Sequence, residues 1–261
     1  MKVINITKTI LAAMGATFFC ACDQVDSDER YIELPPAEAR RVVLLEEYTG
    51  QKCPNCPVAH QAIDALHEIF ADTLITVSIH CGGDAFSYNG AQFPFGLASD
   101  LTQALGDEAG VYALPCGVVN RNSGILSYAE WQSAIRKAKS QPSCIELSAT
   151  AAVKGENIDV DVEINPTDNI KGRLLVWVVE SKIVAPQQNG SKFVVEYEHN
   201  HVLRASANGQ HGDEFTLVTR EPQTASYSIK INEKWNKENL SIVVFMYNNK
   251  EGVLQAVAAH L

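Results

Sequence analysis

The chain has 261 residues, of which 46% are apolar, and 31 acidic side chains stand against 21 basic ones for a formal net charge of −10. That length supports one large or two medium domains, each with its own core. The acidic balance argues against nucleic acid as a partner and against polybasic attachment to anionic lipid.

Lys2 and Lys8 precede an apolar stretch, Ile10 to Phe19, that is too short to span a bilayer, so residues 1–21 read as a targeting segment outside the fold. Its end, Phe19-Cys20-Ala21-Cys22, resembles a bacterial lipoprotein signal, in which the cysteine after the cut becomes the lipidated first residue. Cys22 follows the small Ala21 and is the lipidation candidate, whereas Cys20 follows bulky Phe19. Ordinary secretory cleavage is the alternative. Any membrane attachment is expected through lipid on Cys22. Residues 22–40 follow as an acidic tether with Asp23, Asp26, Asp28, Glu29 and Glu33. Acidic residues behind a lipidated cysteine also resemble signals that send some Gram-negative lipoproteins to the outer face of the outer membrane; a plain spacer is the other reading.

Residues 41–142 mix strand and helix patterns. Val42 to Leu45 is a continuous apolar run suited to a strand covered on both faces, and Leu74 to His80 is a second. Between them Val58, Ala62, Ala65, Leu66, Ile69 and Phe70 recur at helical spacing, which predicts a βαβ unit with parallel strands. Cys53-Pro54-Asn55-Cys56-Pro57 lies at the strand–helix junction. Unpaired N–H groups and the positive dipole end at a helix start stabilise a thiolate there, so Cys53 is the expected nucleophile and Cys56, one turn behind, the resolving thiol. A zinc ribbon is the competing reading, but no second C-x-x-C occurs and Pro57 favours a helix start over a knuckle turn.

A long loop, residues 82–96, carries Phe86, Tyr88, Phe93 and Phe95, which suit either a partner groove or packing onto the loop's own domain, and residues 98–105 form a short helix. Leu114-Pro115 opens an apolar strand at a position where a proline, cis or trans, is tolerated. Ser127-x-x-Glu130 reads as a capping box for the last helix, with Leu126 and Trp131 placed as a hydrophobic staple.

Strand, C-x-x-C, helix, strand, helix, X-Pro-strand, helix resembles the thioredoxin superfamily. That resemblance implies that Leu114 and Pro115, with Cys116, lie against the active-site thiols and present backbone to an extended partner. It also implies a buried carboxylate six residues before the nucleophile, here Glu47, as proton acceptor for Cys56; an elevated pKa would suit that role. An exposed strand-end Glu is the structural alternative. Lys52 replaces the usual tryptophan and would favour a thiolate electrostatically, and Cys116 replaces the usual threonine. Besides Cys22, the mature chain holds Cys53, Cys56, Cys81, Cys116 and Cys144, an odd number. In a thioredoxin-like sheet the first four gather at one rim, where Cys81 and Cys116 are expected as auxiliary thiols, a second disulfide or relay pair; small buried hydrophobes are the alternative. Those thiols with His60 or His80 would be needed for a metal, and none is expected, nor any other cofactor.

Residues 143–261 are almost wholly strand-like. Ile158, Val160, Val162 and Ile164 alternate with acidic residues, and similar runs cover residues 145–151, 173–180, 192–197, 214–219, 225–231, 241–247 and 253–259. This predicts an immunoglobulin-like sandwich. His199 and His201 share a face of any strand, but the sequence offers no third metal ligand. Together, His199-Asn200-His201-Val202-Leu203-Arg204, Glu46-Glu47-Tyr48-Thr49-Gly50 leading into C-x-x-C-P, and Val118-Val119-Asn120-Arg121 resemble lipoproteins related to outer membrane protein twenty-eight of Gram-negative anaerobes. That resemblance implies an outer-membrane or surface lipoprotein with a thioredoxin-like domain followed by a β-sandwich. The expected chemistry is thiol–disulfide exchange with a protein thiol or disulfide partner; the alternative is a non-catalytic binding or adhesin-like lipoprotein whose C-x-x-C is a structural crosslink.

Overall fold

The computed structural model describes residues 40–261, so the signal, Cys22 and all but the last residue of the acidic tether lie outside the described residues. The chain is mostly β, built on three sheets with a small helical portion. Its first elements are β1 (Val43–Thr49), α1 (Cys56–Phe70) and β2 (Leu74–His80). β1 and β2 are parallel, in register from Val43↔Leu74 to Thr49↔His80. Two short helices follow, α2 (Gly83–Phe86) and α3 (Asp100–Glu108), the latter closed by a Ser99–Thr102 capping box. β3 (Cys116–Val119) then runs antiparallel to β1 after a cis Leu114–Pro115 bond, and α4 (Trp131–Lys139) ends the helical part. The expected box at α4 is half formed. Glu130 accepts from the Ser127 N–H at 3.0 Å, but the Ser127 hydroxyl donates to the same carboxylate instead of accepting from the helix.

Ten strands follow: β4 (Ile145–Lys154), β5 (Asn157–Pro166), β6 (Ile170–Glu180), β7 (Ile183–Asn189), β8 (Lys192–His199), β9 (Val202–Ser206), β10 (Asp213–Leu217), β11 (Gln223–Lys230), β12 (Leu240–Asn248) and β13 (Gly252–His260). Every strand run expected after residue 143 forms; β7 and β9 were not expected.

The large sheet takes the order β13-β12-β6-β9-β2-β1-β3, with β10 beside β6, so it runs through both the first and second halves of the chain. Its seam is narrow: β2 meets β9 at Ser78↔Val202, with Ser78 N–H donating to the His201 carbonyl at 2.7 Å. The far edges also meet. Val253 N–H donates to the Asn120 carbonyl at 2.8 Å, the Gln255 amide bridges Val42 N–H and the Arg40 carbonyl, and the Arg41 guanidinium binds the Val253 carbonyl. Gly252, at φ +71°, allows this closure, since a Cβ there would collide with the Asn120 carbonyl.

Strand alternation then assigns the three larger core clusters among the described residues. Leu44, Tyr48, Val77 and Ile79 join Trp177, Val179, Val243 and Phe245 in a cluster drawn from both halves. On the opposite face of β1, Val43 and Leu45 pack with Ala59, Ile63, Leu66 and Phe70 of α1 and Trp131 and Ile135 of α4. Val176, Val178, Ile242 and Val244 face Ile158, Val160, Val162 and Ile164 of the three-stranded sheet β11-β5-β4. Glu46, buried on the shared-core face, is neutralised by a bidentate Arg121 at 2.8–3.1 Å, whose guanidinium also lies 4.6–5.3 Å from the Tyr247, Phe245 and Trp177 rings. That pair ties β1 and β3 to β6 and β12 through charge and cation–π contact.

Candidate functional site

Cys53 and Cys56 form a disulfide at the N-terminus of α1, with Pro57 inside the first turn. The pair is covered: Cys53 is 1% and Cys56 0% exposed. The sulfur expected as nucleophile, that of Cys53, is therefore not accessible in this conformation. The cover is the β7–β8 hairpin, a two-stranded sheet of its own, of which the sequence pattern announced β8 but neither β7 nor the pairing. Gln188 N–H donates to the Gln51 carbonyl at 2.7 Å and Gly190 N–H to the Pro54 carbonyl at 2.8 Å. The buried Gln187 amide nitrogen reaches the Gly50 and Cys53 carbonyls at 3.2 and 3.0 Å. The hairpin thus satisfies the backbone of the C-P-N-C loop. Its other side shows apolar residues to solvent, with Val184, Phe193 and Val195 between 55 and 64% exposed.

Glu47 is fully buried, not a strand-end Glu in water. Parallel register puts Glu47 and Thr49 of β1 on one face with Ser78 and His80 of β2, and α1 lays His60 across them, one turn after Cys56. Ser78 Oγ donates to Glu47 at 2.7 Å. His60 Nε2 lies 3.0 Å from Thr49 Oγ1 and 3.2 Å from Glu47 Oε1, the second an ion-pair contact rather than an aligned hydrogen bond. His60 Nδ1 is 2.8 Å from the Tyr197 hydroxyl, contributed by the hairpin. Burial alone would raise the Glu47 pKa, but the His60 charge and the bonds from His60, Ser78 and Thr49 outweigh it, and the net shift is downward. The elevated pKa expected for Glu47 is therefore corrected. Burial likewise opposes a charged His60, and Glu47 overcomes it, so the His60 pKa is raised.

Two further imidazoles close the cluster. His80 and His199 are buried, their rings 5.4 Å apart, and none of their nitrogens has a hydrogen-bond partner among the described residues. Burial, reinforced by the neighbouring imidazoles, keeps both neutral, His80 well below the usual histidine range and His199 down at about 4. His199 and His201 do not share a strand face: His201 sits in a turn at φ 59° and stacks on His67 at 5.1 Å, whereas His199 faces His60 and His80. Among the described residues no three His, Cys, Asp or Glu side chains are placed to hold a metal ion. The sequence held a signal for this cluster in the Cys56–His60 spacing and in His80 at the end of an apolar strand, but only the fold adds Tyr197 and His199.

Cys81 and Cys116 are free and buried in the shared core, which corrects the expectation of a second disulfide. Burial pushes the Cys81 thiol up to about 12 and the Cys116 thiol up to about 11, each further raised by nearby negative groups, so neither is a reactive thiolate. Lys52 is turned to the 82–96 loop: its ammonium donates to the Asp84 carbonyl at 2.7 Å and lies 4.3 Å from the Tyr88 ring. Tyr88, Phe93 and Phe95 pack on one another at 4.9–5.7 Å, so the loop aromatics form their own cluster. Leu114 and Pro115 are half-buried beside the cis bond that leads into Cys116.

No curated protein matches the chain. Among solved structures, HBP35 of Porphyromonas gingivalis is similar at 16% identity and a TM-score of 0.67, over 85% of this chain and 76% of that one. A protein of Agrobacterium tumefaciens is similar at 15% identity and a TM-score of 0.54, over 86% and 96%. A domain of the outer membrane lipoprotein Omp28 from Porphyromonas gingivalis aligns at 25% identity and a TM-score of 0.33, over 46% of this chain and 88% of that one. Among the described residues no helix is long and apolar enough to cross a membrane. The model of the family described as "Outer membrane protein Omp28" matches residues 102–261, which begins after the C-P-N-C site and takes in the last of the helical part and every strand from β3 onward. The chain belongs to the Omp28 family of outer membrane proteins.

Proposed function

We propose that this outer-membrane protein carries a thiol–disulfide exchange centre at Cys53–Cys56, with residues 41–142 a thioredoxin-like unit, residues 143–261 an immunoglobulin-like sandwich, and lipid on Cys22 as the anchor. The observation that carries the reading is the 3.2 Å contact of fully buried Glu47 with His60 one helical turn behind the C-P-N-C disulfide, an ion pair whenever His60 is protonated, as Glu47 favours. A mere crosslink has no use for a desolvated charge pair, which costs several kcal/mol per ion to bury unless its geometry is satisfied. In this reading Cys53 attacks a partner disulfide, the mixed disulfide lies along Leu114, Pro115 and Cys116, and Cys56, deprotonated by Glu47, releases the product. The partner is a protein thiol or disulfide, and it reaches Cys53 after the β7–β8 hairpin lifts. Pro54-Asn55 lacks the His found between the cysteines of strong oxidants, which favours reductase or isomerase chemistry.

One observation favours a second reading, a binding module whose disulfide is structural: Cys53 is sealed under the hairpin. The two readings part in one experiment. The purified mature chain is equilibrated in glutathione buffers, free thiols are alkylated, and each cysteine is read by mass spectrometry. Reversible opening of Cys53–Cys56 at a potential within the roughly 150 mV spread of this chemistry supports exchange. A pair that stays closed throughout supports the structural crosslink.

A further inference from the structure

Cys56 and His60 stand at positions i and i+4 of α1, where side chains are neighbours with roughly 5–6 Å between Cβ atoms. The His60 ring is clamped at both nitrogens, by Thr49 and Glu47 on one side and the Tyr197 hydroxyl on the other. Glu47 has one oxygen fixed by Ser78 and the other facing His60. A cavity of about 60 Å³ adjoins the clamp, lined among others by Asp64, His80, Glu198 and His199. Its two unpartnered imidazoles, His80 and His199, border the pair with neutral groups. Asp64, on α1 beside His60, adds a weaker pull in the same direction as Glu47. Among the described residues Glu47 is the fully buried charged acceptor on this face, and His60 leads the groups, with Ser78 and Thr49, that hold it charged.

We propose that His60, clamped between Glu47 and Tyr197, is a positioning residue that sets Glu47 to receive the Cys56 proton in the resolving step; this rests on the exchange reading above. The step starts from the dithiol, regenerated by a dithiol reductant. Cys53 thiolate attacks one sulfur of the partner disulfide, and the other partner sulfur leaves as a thiolate. The Cys56 S–H then gives its proton to Glu47, the Cys56 thiolate attacks Cys53 Sγ, the Cys53–partner S–S bond breaks, and the second partner sulfur leaves as a thiolate that is protonated from Glu47 or solvent. The partner disulfide gains two electrons and the Cys53–Cys56 dithiol loses two. Because Tyr197 lies on the covering hairpin, the element that hides Cys53 also holds the group that serves Cys56.

The test uses the purified mature chain, reduced with dithiothreitol, freed of reductant and mixed with oxidised glutathione at pH 5 to 9. Acid quenching and mass spectrometry follow formation and resolution of the Cys53–glutathione mixed disulfide separately. In His60→Gln the resolving rate is expected to fall about tenfold at pH 7, because the apparent midpoint of Cys56 deprotonation, above pH 7, moves up by about one unit, while the rate of mixed-disulfide formation is unchanged. In a Glu47→Gln background His60→Gln is expected to add no further loss. Tyr197→Phe, which keeps the ring and removes only the hydroxyl, shifts the midpoint the same way by a smaller amount and serves if His60→Gln does not fold. An unmoved pH profile in the variants, or a full His60 effect that persists without Glu47, overturns the inference and leaves the exchange reading standing. Wild-type protein that never forms or never resolves the mixed disulfide overturns the exchange reading itself.

Discussion

Five cysteines lie within the described residues, and their surroundings divide them sharply. Cys53 and Cys56 are bonded at a helix start, Cys81 and Cys116 are buried thiols held protonated in an apolar core, and Cys144 is half-buried beside Arg41. Gly106 of α3 packs against Cys81 so closely that a Cβ would meet its sulfur at 2.9 Å, which is packing and not redox geometry. With thiols pushed up to about 12 and about 11, the thiolate fraction at pH 8 is on the order of a thousandth or less, before burial slows access further. Alkylation of the native, fully reduced protein at pH 8 should therefore label half-buried Cys144 and, as the hairpin opens, Cys53, and leave Cys81 and Cys116 unmodified until the chain is denatured. Labelling of Cys81 or Cys116 at the rate of Cys53 would restore them as auxiliary thiols. Sequence spacing placed these four sulfurs at one rim through the thioredoxin resemblance, but it held no information on which face of each strand the side chains take.

At the scale of elements, the hairpin formed by β7 and β8 governs access. A two-stranded ribbon is marginal alone, so its stability comes from what it covers. Gln187 contributes one bond to Cys53 of the C-P-N-C loop and one to Gly50 just ahead of it, each worth about 1 kcal/mol net. Gln187→Ala should then raise the alkylation rate of reduced Cys53 by about thirtyfold, measured by stopped-flow with a thiol reagent, and leave the melting temperature of the rest nearly unchanged. An unaltered rate would mean that Cys53 opens by another route. Periodicity made β1, α1, β2, β5, β6, β12 and β13 legible because each buries a continuous run or face; β8 was legible as a strand, but it pairs only with β7 and lies mostly exposed. β7 was not legible, since Pro186 and the run Gln187-Gln188-Asn189 break its pattern, and β9 is a five-residue strand whose pairing depends on β2 and β6, both distant in sequence.

Over the whole molecule, one sheet joins the helical first half to the strand-rich second half, and the histidine cluster sits on its narrowest seam, where β2 meets β9. No local pattern could show this, because Ser78, His80, Tyr197, His199 and His201 converge only when the sheet forms. The same placement makes folding depend on pH. His80, His199 and His201 have folded pKa values pushed down by burial, the last two to about 4, against about 6.5 unfolded. Between those limits the unfolded chain binds more protons, so their stabilisation is complete above pH 6.5 and is lost as the pH falls towards 4. His60 works the other way: its raised pKa gives stability that is full below 6.5 and fades as the pH climbs through the folded value. Glu47, with its lowered pKa, holds its contribution down to the unfolded carboxylate value and loses it as the pH falls from there through its folded value, at the acid end. Between pH 6.5 and 4 the contribution of His60 is already full and adds no slope, so His80, His199 and His201, joined by His67, whose pKa burial also lowers, act unopposed, and the net is a loss on acidification. Thermal or urea unfolding across that range should show stability falling as the pH is lowered. His199→Gln should remove about one proton from the slope, about 1.4 kcal/mol per pH unit, by ending the mismatch between its folded and unfolded pKa. A slope unchanged in that variant would mean that His199 is protonated in the native protein, and with it the neutral wall around the Glu47–His60 pair would be gone.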